Sequence, residues 1–412
     1  MSDVNTTAEC NEVTEVVSKE YKTKSEIRNR KQPRINGNNQ YKGRTIVALD
    51  GGYSSVKGVG PDRVFMFPSY AKKVNKDLEV IGKVRAEDIQ FRDNKTGDVW
   101  LVGQSAEALM NVSDIAATTD ASLYTRYRYK SDIFRVIMAT GMCLGLYGTG
   151  AGNEIFLQTG LPAEYKNRDT DALVSALSGD YDISIKIGNS DWVSFKYTLD
   201  SDHIGVMEQP QGTLCAITYQ DGVVSETGRS VMRSNSMIFD VGFGTEDIFS
   251  IRAGYKDKHH TYSDTGMRAV FEEVIAQLSA KYPIDIKIFE FQKYLESGKA
   301  SYFNREENGV FEVDFCDSLL KENAKLCEKS MNRLLQEYDN MLDYQYLIVT
   351  GGTGQSRFAQ IQKFFEKYKL KVLPGNLNTP DLPFCYSNVI GYYMFRHAKL
   401  VAELKKEFGE QA

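Results

Sequence analysis

Three glycine-rich loops occur along this chain, and each closes a short apolar run. Asp50-Gly-Gly-Tyr-Ser-Ser-Val-Lys57 follows Thr45–Leu49, and Asp240-Val-Gly-Phe-Gly-Thr-Glu-Asp247 follows Ser236–Phe239. Thr350-Gly-Gly-Thr-Gly354 follows Tyr346–Val349. Apolar runs of this length bounded by glycine read as buried strands. Strand–loop units separated by helical patterns give an α/β architecture. Two of the loops begin with an aspartate at the strand end. Glycine lets backbone N–H groups approach an anion with no Cβ in the way, so these loops suit phosphate.

Each loop supplies particular groups. In the first, Gly51 and Gly52 let the turn approach phosphates, and Ser54 and Ser55 add hydroxyl donors. Lys57 falls on the returning strand, where its ammonium meets phosphate as a point charge. Asp50 is a candidate to orient a hydrated Mg²⁺, an ion that keeps most of its water and takes few carboxylates, although Asp-Gly-Gly read alone is equally a simple turn. The second loop repeats the recipe with Asp240, Gly242, Gly244 and Thr245. Asp247 either joins the metal's water shell or, with Glu246, belongs to a solvated hairpin tip. In the third loop, Gly351, Gly352 and Gly354 let backbone pack on a flat purine and its ribose, or simply make a tight strand-to-helix turn.

Length and composition bound the alternatives. At 412 residues two domains are expected. A net charge of −5 argues against a protein that binds nucleic acid through overall charge. The six cysteines, Cys10, Cys143, Cys215, Cys316, Cys327 and Cys385, are scattered without a CxxC pair. They read as reduced thiols of a cytosolic protein. His259 and His260 sit in a charged stretch that reads as a solvated loop. The polar, acidic first residues do not read as a signal peptide. The run Ile133–Tyr147 is too short to span a bilayer and reads as a buried helix.

Residues 1–43 form a distinct segment, acidic, then basic, then Asn-rich, with few large apolar residues. Such a segment is expected to be a disordered extension, or an arm that contacts a neighbouring subunit or DNA, in which Val13, Val16 and Val17 start a short helix on docking. Strands are expected around 64–67, 79–81, 99–102 and 154–158, the last stopped by Thr159-Gly-Leu-Pro162. A hairpin is expected from 181–187 and 192–199 around Gly188-Asn-Ser-Asp191. Helices are expected over 168–177, 267–281, 285–297, 315–338, 356–369 and 387–408.

With these motifs in order, the sequence resembles the actin–Hsp70–sugar-kinase superfamily. The loops correspond to its two phosphate motifs and, at Val349-Thr-Gly-Gly-Thr353, its adenosine motif. More narrowly it resembles the ParM group of bacterial actin-like proteins. Gln158-Thr-Gly-Leu-Pro-Ala163, Val99-Trp-Leu-Val-Gly103 and Ser387-Asn-Val-Ile-Gly-Tyr-Tyr393 fit that group. The resemblance covers roughly residues 44–408.

The resemblance implies an actin-like ATPase fold of two ribonuclease-H-like domains with ATP in the cleft. Its expected divisions are a tail at 1–43, domain I at 44–225 with a small inserted subdomain at about 65–130, domain II at 226–382, and a C-terminal helix at 383–412 returning to domain I. Gly51, Gly52, Ser54, Ser55, Lys57, Gly242, Phe243, Gly244, Thr245, Gly351, Gly352, Thr353 and Gly354 are then nucleotide contacts. Arg268 and Glu272 are candidates for the adenine side, or the polar face of an amphipathic helix. Asp50, Asp240 and Asp247 are metal positions acting through water. The family pattern gives Gln209 the role of orienting the attacking water, with adjacent Glu208 as a competitor and Asp240 also catalytic. One departure is Tyr53, where relatives carry a serine.

The function implied is an ATPase that polymerises into a helical filament and moves plasmid DNA through a DNA-binding adaptor and centromere DNA, with no membrane partner. GTP stays open, since the purine is read largely by backbone and stacking. A small-molecule kinase is the main alternative. An Hsp70-like switch or a non-segregating cytoskeletal scaffold is another.

Overall fold

The strand Arg44–Gly51 is apolar on both sides because both of its faces are covered. Val47 and Leu49 enter one core with Ile133, Phe134, Ile137 and Met138. Ile46 and Ala48 enter another with Val389, Ile390, Tyr392 and Tyr393. This alternation is that of a strand inside a two-faced sheet. The computed structural model describes residues 14–30, 43–75, 83–111, 126–149, 154–220 and 223–409. The strand expected at 79–81 lies outside these residues.

The first sheet has six strands. In spatial order they are Glu26–Asn29, Arg63–Pro68, Ser55–Val59, Arg44–Gly51, Glu154–Leu161 and Ile204–Glu208. Its first three pairings are antiparallel and its last two parallel. Helix Asp132–Leu146 covers one face, and helices Gln209–Thr218 and Ser387–Phe408 lie on the other.

The second large sheet repeats the pattern. Its order is Tyr255–Tyr262, Glu246–Arg252, Ser236–Val241, Tyr346–Thr350 and Lys371–Pro374, two antiparallel pairings followed by two parallel ones. Met237, Phe239 and Val241 face Met331, Leu334, Ile361 and Phe365. Ile238 faces Ile217 and Val231 on the opposite side. The two loop hairpins are also in matching register: Asp50 lies opposite Lys57, and Asp240 opposite Asp247. A separate five-stranded sheet is built from Ala71–Val74, Ile89–Asp93, Val99–Val102, Gly179–Ile187 and Val193–Leu199.

Helix Gln209–Thr218 joins the halves and crosses Ser387–Phe408 closely. A Cβ at Gly391 would fall 1.6 Å from the Gly212 carbonyl oxygen, so only glycine allows this crossing.

Several local expectations are corrected. Residues 14–30 are folded, with a helix at 14–21 and an edge strand at 26–29. Strand Glu154–Leu161 continues through Thr159-Gly-Leu161 instead of stopping there, because Ile204–Glu208 pairs alongside it in parallel. His259 and His260 lie in an edge strand whose outward face is polar. The third-loop helix starts at Gly352, inside the loop itself. The expected helix 285–297 is shorter, at Ile288–Tyr294, and a hairpin Lys299–Asn304/Gly309–Asp314 follows it.

Candidate nucleotide cleft

The three glycine loops meet in one cleft of about 580 Å³, within the size range of small-ligand sites. From the first loop, Asp50, Gly52, Tyr53, Ser54, Ser55 and Lys57 line it. From the second come Asp240, Gly242, Phe243, Gly244, Thr245 and Asp247. Gly351, Gly352 and Thr353 line it from the third, and Gln209 from the connecting helix.

The first-loop aspartate is held at both oxygens. Lys57 Nζ lies 3.6 Å from Asp50 Oδ2, and Gln209 Nε2 donates to Asp50 Oδ1 at 3.2 Å. Gln209 opens its helix directly after strand Ile204–Glu208, so its side chain sits beside the first loop.

Asp240 is buried at the end of the matching strand. Asn388 Nδ2 donates to Asp240 Oδ2 at 2.6 Å. Thr213 Oγ1 donates to Asn388 Oδ1 at 2.7 Å, which orients the amide. Burial, then the charge of Asp247, push the Asp240 carboxyl up to about 7, with Asp50 adding to the rise. The carboxylates of the two halves therefore act on each other across the cleft.

Asp247 is buried rather than solvated at a hairpin tip. Its oxygens accept from Thr245 Oγ1 at 2.9 Å, Thr261 Oγ1 at 2.5 Å and Ala163 N at 3.1 Å. Burial raises its carboxyl to about 6, against the lowering effect of these donors. The Ala163 bond ties the turn after strand Glu154–Leu161 of the first half to the second loop. Glu246 is also buried, paired with Arg357 Nη1 at 2.9 Å.

Tyr53 stands between the first and second glycine loops. The Arg128 guanidinium lies 4.4 Å from its ring centroid. A Cβ at Gly244 would fall 2.6 Å from Tyr53 Cδ2, so the phenol uses the space that this glycine leaves.

Five expected site residues lie elsewhere. Glu208 turns out of the cleft, its carboxylate 2.5 Å from Lys256 Nζ and 3.8 Å from His259 Nδ1. Its own N–H donates to Gln211 Oε1 at 3.3 Å, capping the helix. Arg268 Nε donates to Glu272 Oε1 at 2.9 Å on the outer side of helix Met267–Lys281, and neither lines the cleft. Gly51 is a packing position: its carbonyl accepts from Arg128, and a Cβ there would fall 2.9 Å from Met138 Sδ. Gly354 lets its helix approach Val349 and Val241.

Other lining residues had no signal of their own: Arg128, Gln355, Ser356, Cys385 and the stretch 19–23. Asn388 also lines the cleft and was within reach of sequence reasoning, because it falls inside the Ser387–Gly391 motif.

The residues fit a magnesium nucleotide. Two carboxylates from opposite halves, an ammonium and glycine backbone match a hydrated cation with phosphates. Gly351 strengthens the fit. Its φ of 83° and ψ of 158° fall in a region almost restricted to glycine, and a Cβ there would stand 2.6 Å from Asp240 Oδ1. Gly351→Ala is expected to destabilise the chain by ~1–3 kcal/mol through this strain. It should also weaken nucleotide binding at least tenfold. Thermal melts and a fluorescent-nucleotide titration check both; wild-type affinity would remove Gly351 from the site.

Residues 48–212 match the family of actin-like protein N-terminal domains. The chain carries an actin-like N-terminal domain. A non-polymerisable quadruple mutant of pCBH ParM is similar over 86% of this chain and 99% of its own, with TM-score 0.66 and 20% identity. A 15-stranded ParM filament from Clostridium botulinum matches over 86% and 99%, with TM-score 0.63 and 18% identity. An archaeal actin homologue in complex with ADP matches over 86% and 99%, with TM-score 0.56 and 12% identity. At these identities the likeness is one of fold, and the matched part of the chain has the actin-like fold. No curated protein matches the sequence. No helix among the described residues is long and apolar enough to cross a membrane.

Proposed function

We propose that this actin-like protein is an ATP-dependent, filament-forming ATPase that moves plasmid DNA through a DNA-binding adaptor. The observation that carries the nucleotide reading is the convergence of Asp50 with Lys57 and Asp240 with Gly242 on one cleft from opposite halves. Groups placed on both halves bind a ligand more tightly when the cleft is closed, so binding favours the closed form. A closed subunit that contacts the next one head to tail, without closing a ring, builds a helical filament. The similar folds of a ParM filament and of an ADP complex support this reading.

A bound Mg²⁺ would supply charge neutralisation at the phosphates. Asp50 and Asp240 are the residues that would hold it through water. Lys57 offers its ammonium to phosphate oxygens. Gln209, hydrogen-bonded to Asp50, is placed to orient a water at the same point, as an amide does in GTPases. Glu208, paired with Lys256, is assigned to helix capping. The cytoplasm is the compartment this function requires. GTP is the alternative purine, and the adaptor and centromere DNA belong to this proposal.

Purified protein is expected to pellet at high speed and scatter light with ATP and Mg²⁺. Gln209→Ala should slow phosphate release at least tenfold while filaments form and persist longer; Glu208→Gln should change turnover less than threefold. Protein that stays dispersed with every nucleotide, salt and crowding condition would refute the filament. ATP consumption strictly dependent on an added small molecule would favour a kinase.

A further inference from the structure

The stretch 14–29 crosses the mouth of the cleft and is anchored on both sides. Its helix docks on the second half. Val17 is fully buried among Val270, Phe271, Phe291 and Phe315, and Asn323 Nδ2 donates to Tyr21 Oη at 3.0 Å. Its strand docks on the first half. Glu26–Asn29 pairs antiparallel with Arg63–Pro68, Ile27 opposite Phe65. From the last turn of the helix into the crossing, Lys19, Glu20, Tyr21, Lys22 and Thr23 line the same cleft as the three glycine loops.

Lys22 joins the two sides at the crossing. Its ammonium donates to Glu107 Oε1 at 2.8 Å and to the Gln292 carbonyl at 3.0 Å. Glu107 lies on helix Gln104–Leu109, beside the five-stranded sheet, and Gln292 on helix Ile288–Tyr294 of the second half. The Lys22 and Glu107 side chains are only 7% and 8% exposed, so the pair is shielded from solvent. Ser25 N also donates to Gln104 Oε1 at 2.7 Å, fixing the chain on the Glu107 side.

We infer that residues 14–29 form a strap that supplies the outer wall of the nucleotide cleft and sets the rate at which nucleotide leaves. The inference rests on the nucleotide reading above. Opening the cleft separates the two anchors, so either the helix leaves its apolar seat or the strand leaves the sheet edge. Both losses oppose opening. Differential contact of this kind shifts the balance between open and closed forms whether or not nucleotide is present. A bound purine nucleotide leaves only after the strap yields.

Release of a fluorescent ATP analogue, chased with excess ATP, tests this on the full-length chain. Val17→Asp places a charge in the apolar seat and should raise the dissociation rate at least tenfold. Lys22→Met keeps the strap's apolar anchor and should raise it three- to tenfold. In the nucleotide-free protein, amide hydrogen exchange over 22–29 should be slow in wild type and at least tenfold faster in Val17→Asp. Rates within twofold of wild type in both variants would overturn the strap. Should Val17→Asp fail to fold, Lys22→Met decides alone. A wild-type chain that binds neither ATP nor GTP would overturn the nucleotide reading, and the strap's role with it; a wild-type chain that binds but releases at an unaltered rate in the variants overturns the strap alone.

Discussion

Asp240→Ala is expected to reduce ATP turnover at least 100-fold while leaving the fold intact. The size follows from the removal of a preorganised charged group at the reacting centre, typically worth about 10²–10³ in rate. The geometry explains why the fold should survive. Asp240 is buried, and both its burial and the charges of Asp247 and Asp50 disfavour its ionised form. An alanine there relieves that repulsion and leaves Asn388 Nδ2 to find water in the cleft. The melting temperature should therefore stay within a few degrees of wild type. Phosphate release with saturating ATP and Mg²⁺, beside a thermal melt, separates the two effects. Wild-type turnover in Asp240→Ala would remove its assigned role. Asp240→Asn keeps the shape without the charge and should be nearly as slow.

The parts of this site that were legible in the sequence are those fixed by short-range pattern. Apolar runs closed by Asp-Gly or Thr-Gly placed Asp50, Asp240 and Gly351 at strand ends, and the spacing from Asp50 put Lys57 on the returning strand. What escaped depends on partners far along the chain. Val17 sits in a polar segment, and its burial needs a seat made by residues beyond 267. Composition at 1–43 carries no trace of that seat. Glu208 and Gln209 are neighbours, yet consecutive side chains at a strand end point to opposite sides. One faces the cleft and the other faces Lys256, which belongs to an edge strand formed by the charged run around His259. Polar composition there reflects a solvated outer face, not a loop. Arg268 and Glu272 lie on the expected helix, but their mutual pairing turns them outward.

Arg357→Met is expected to produce the largest loss of stability, ~3–5 kcal/mol, because it strands a buried carboxylate without its cation. The Arg357 and Glu246 side chains are each 1% exposed. Arg357 also donates to Asn323 Oδ1 at 2.8 Å and to the Thr265 carbonyl at 2.9 Å. Burial already holds the Glu246 carboxyl above the ordinary range, with Arg357 opposing that rise. Without the arginine its folded-state affinity for a proton rises further. A group with a raised folded pKa costs the native state nothing below its unfolded value and progressively more as pH climbs towards the folded one. Destabilisation should therefore be larger at pH 8 than at pH 5. Urea unfolding at the two pH values measures it, and a change below about 1 kcal/mol at pH 8 would contradict the buried-charge account. Glu246→Gln combined with Arg357→Met removes both charges and should recover most of the loss. The consequence reaches the cleft, because Glu246 directly follows Thr245 of the second loop and Arg357 belongs to the helix that opens at Gly352. The pair clamps the second and third glycine loops together, so the single variant should also lose nucleotide affinity that the double variant regains.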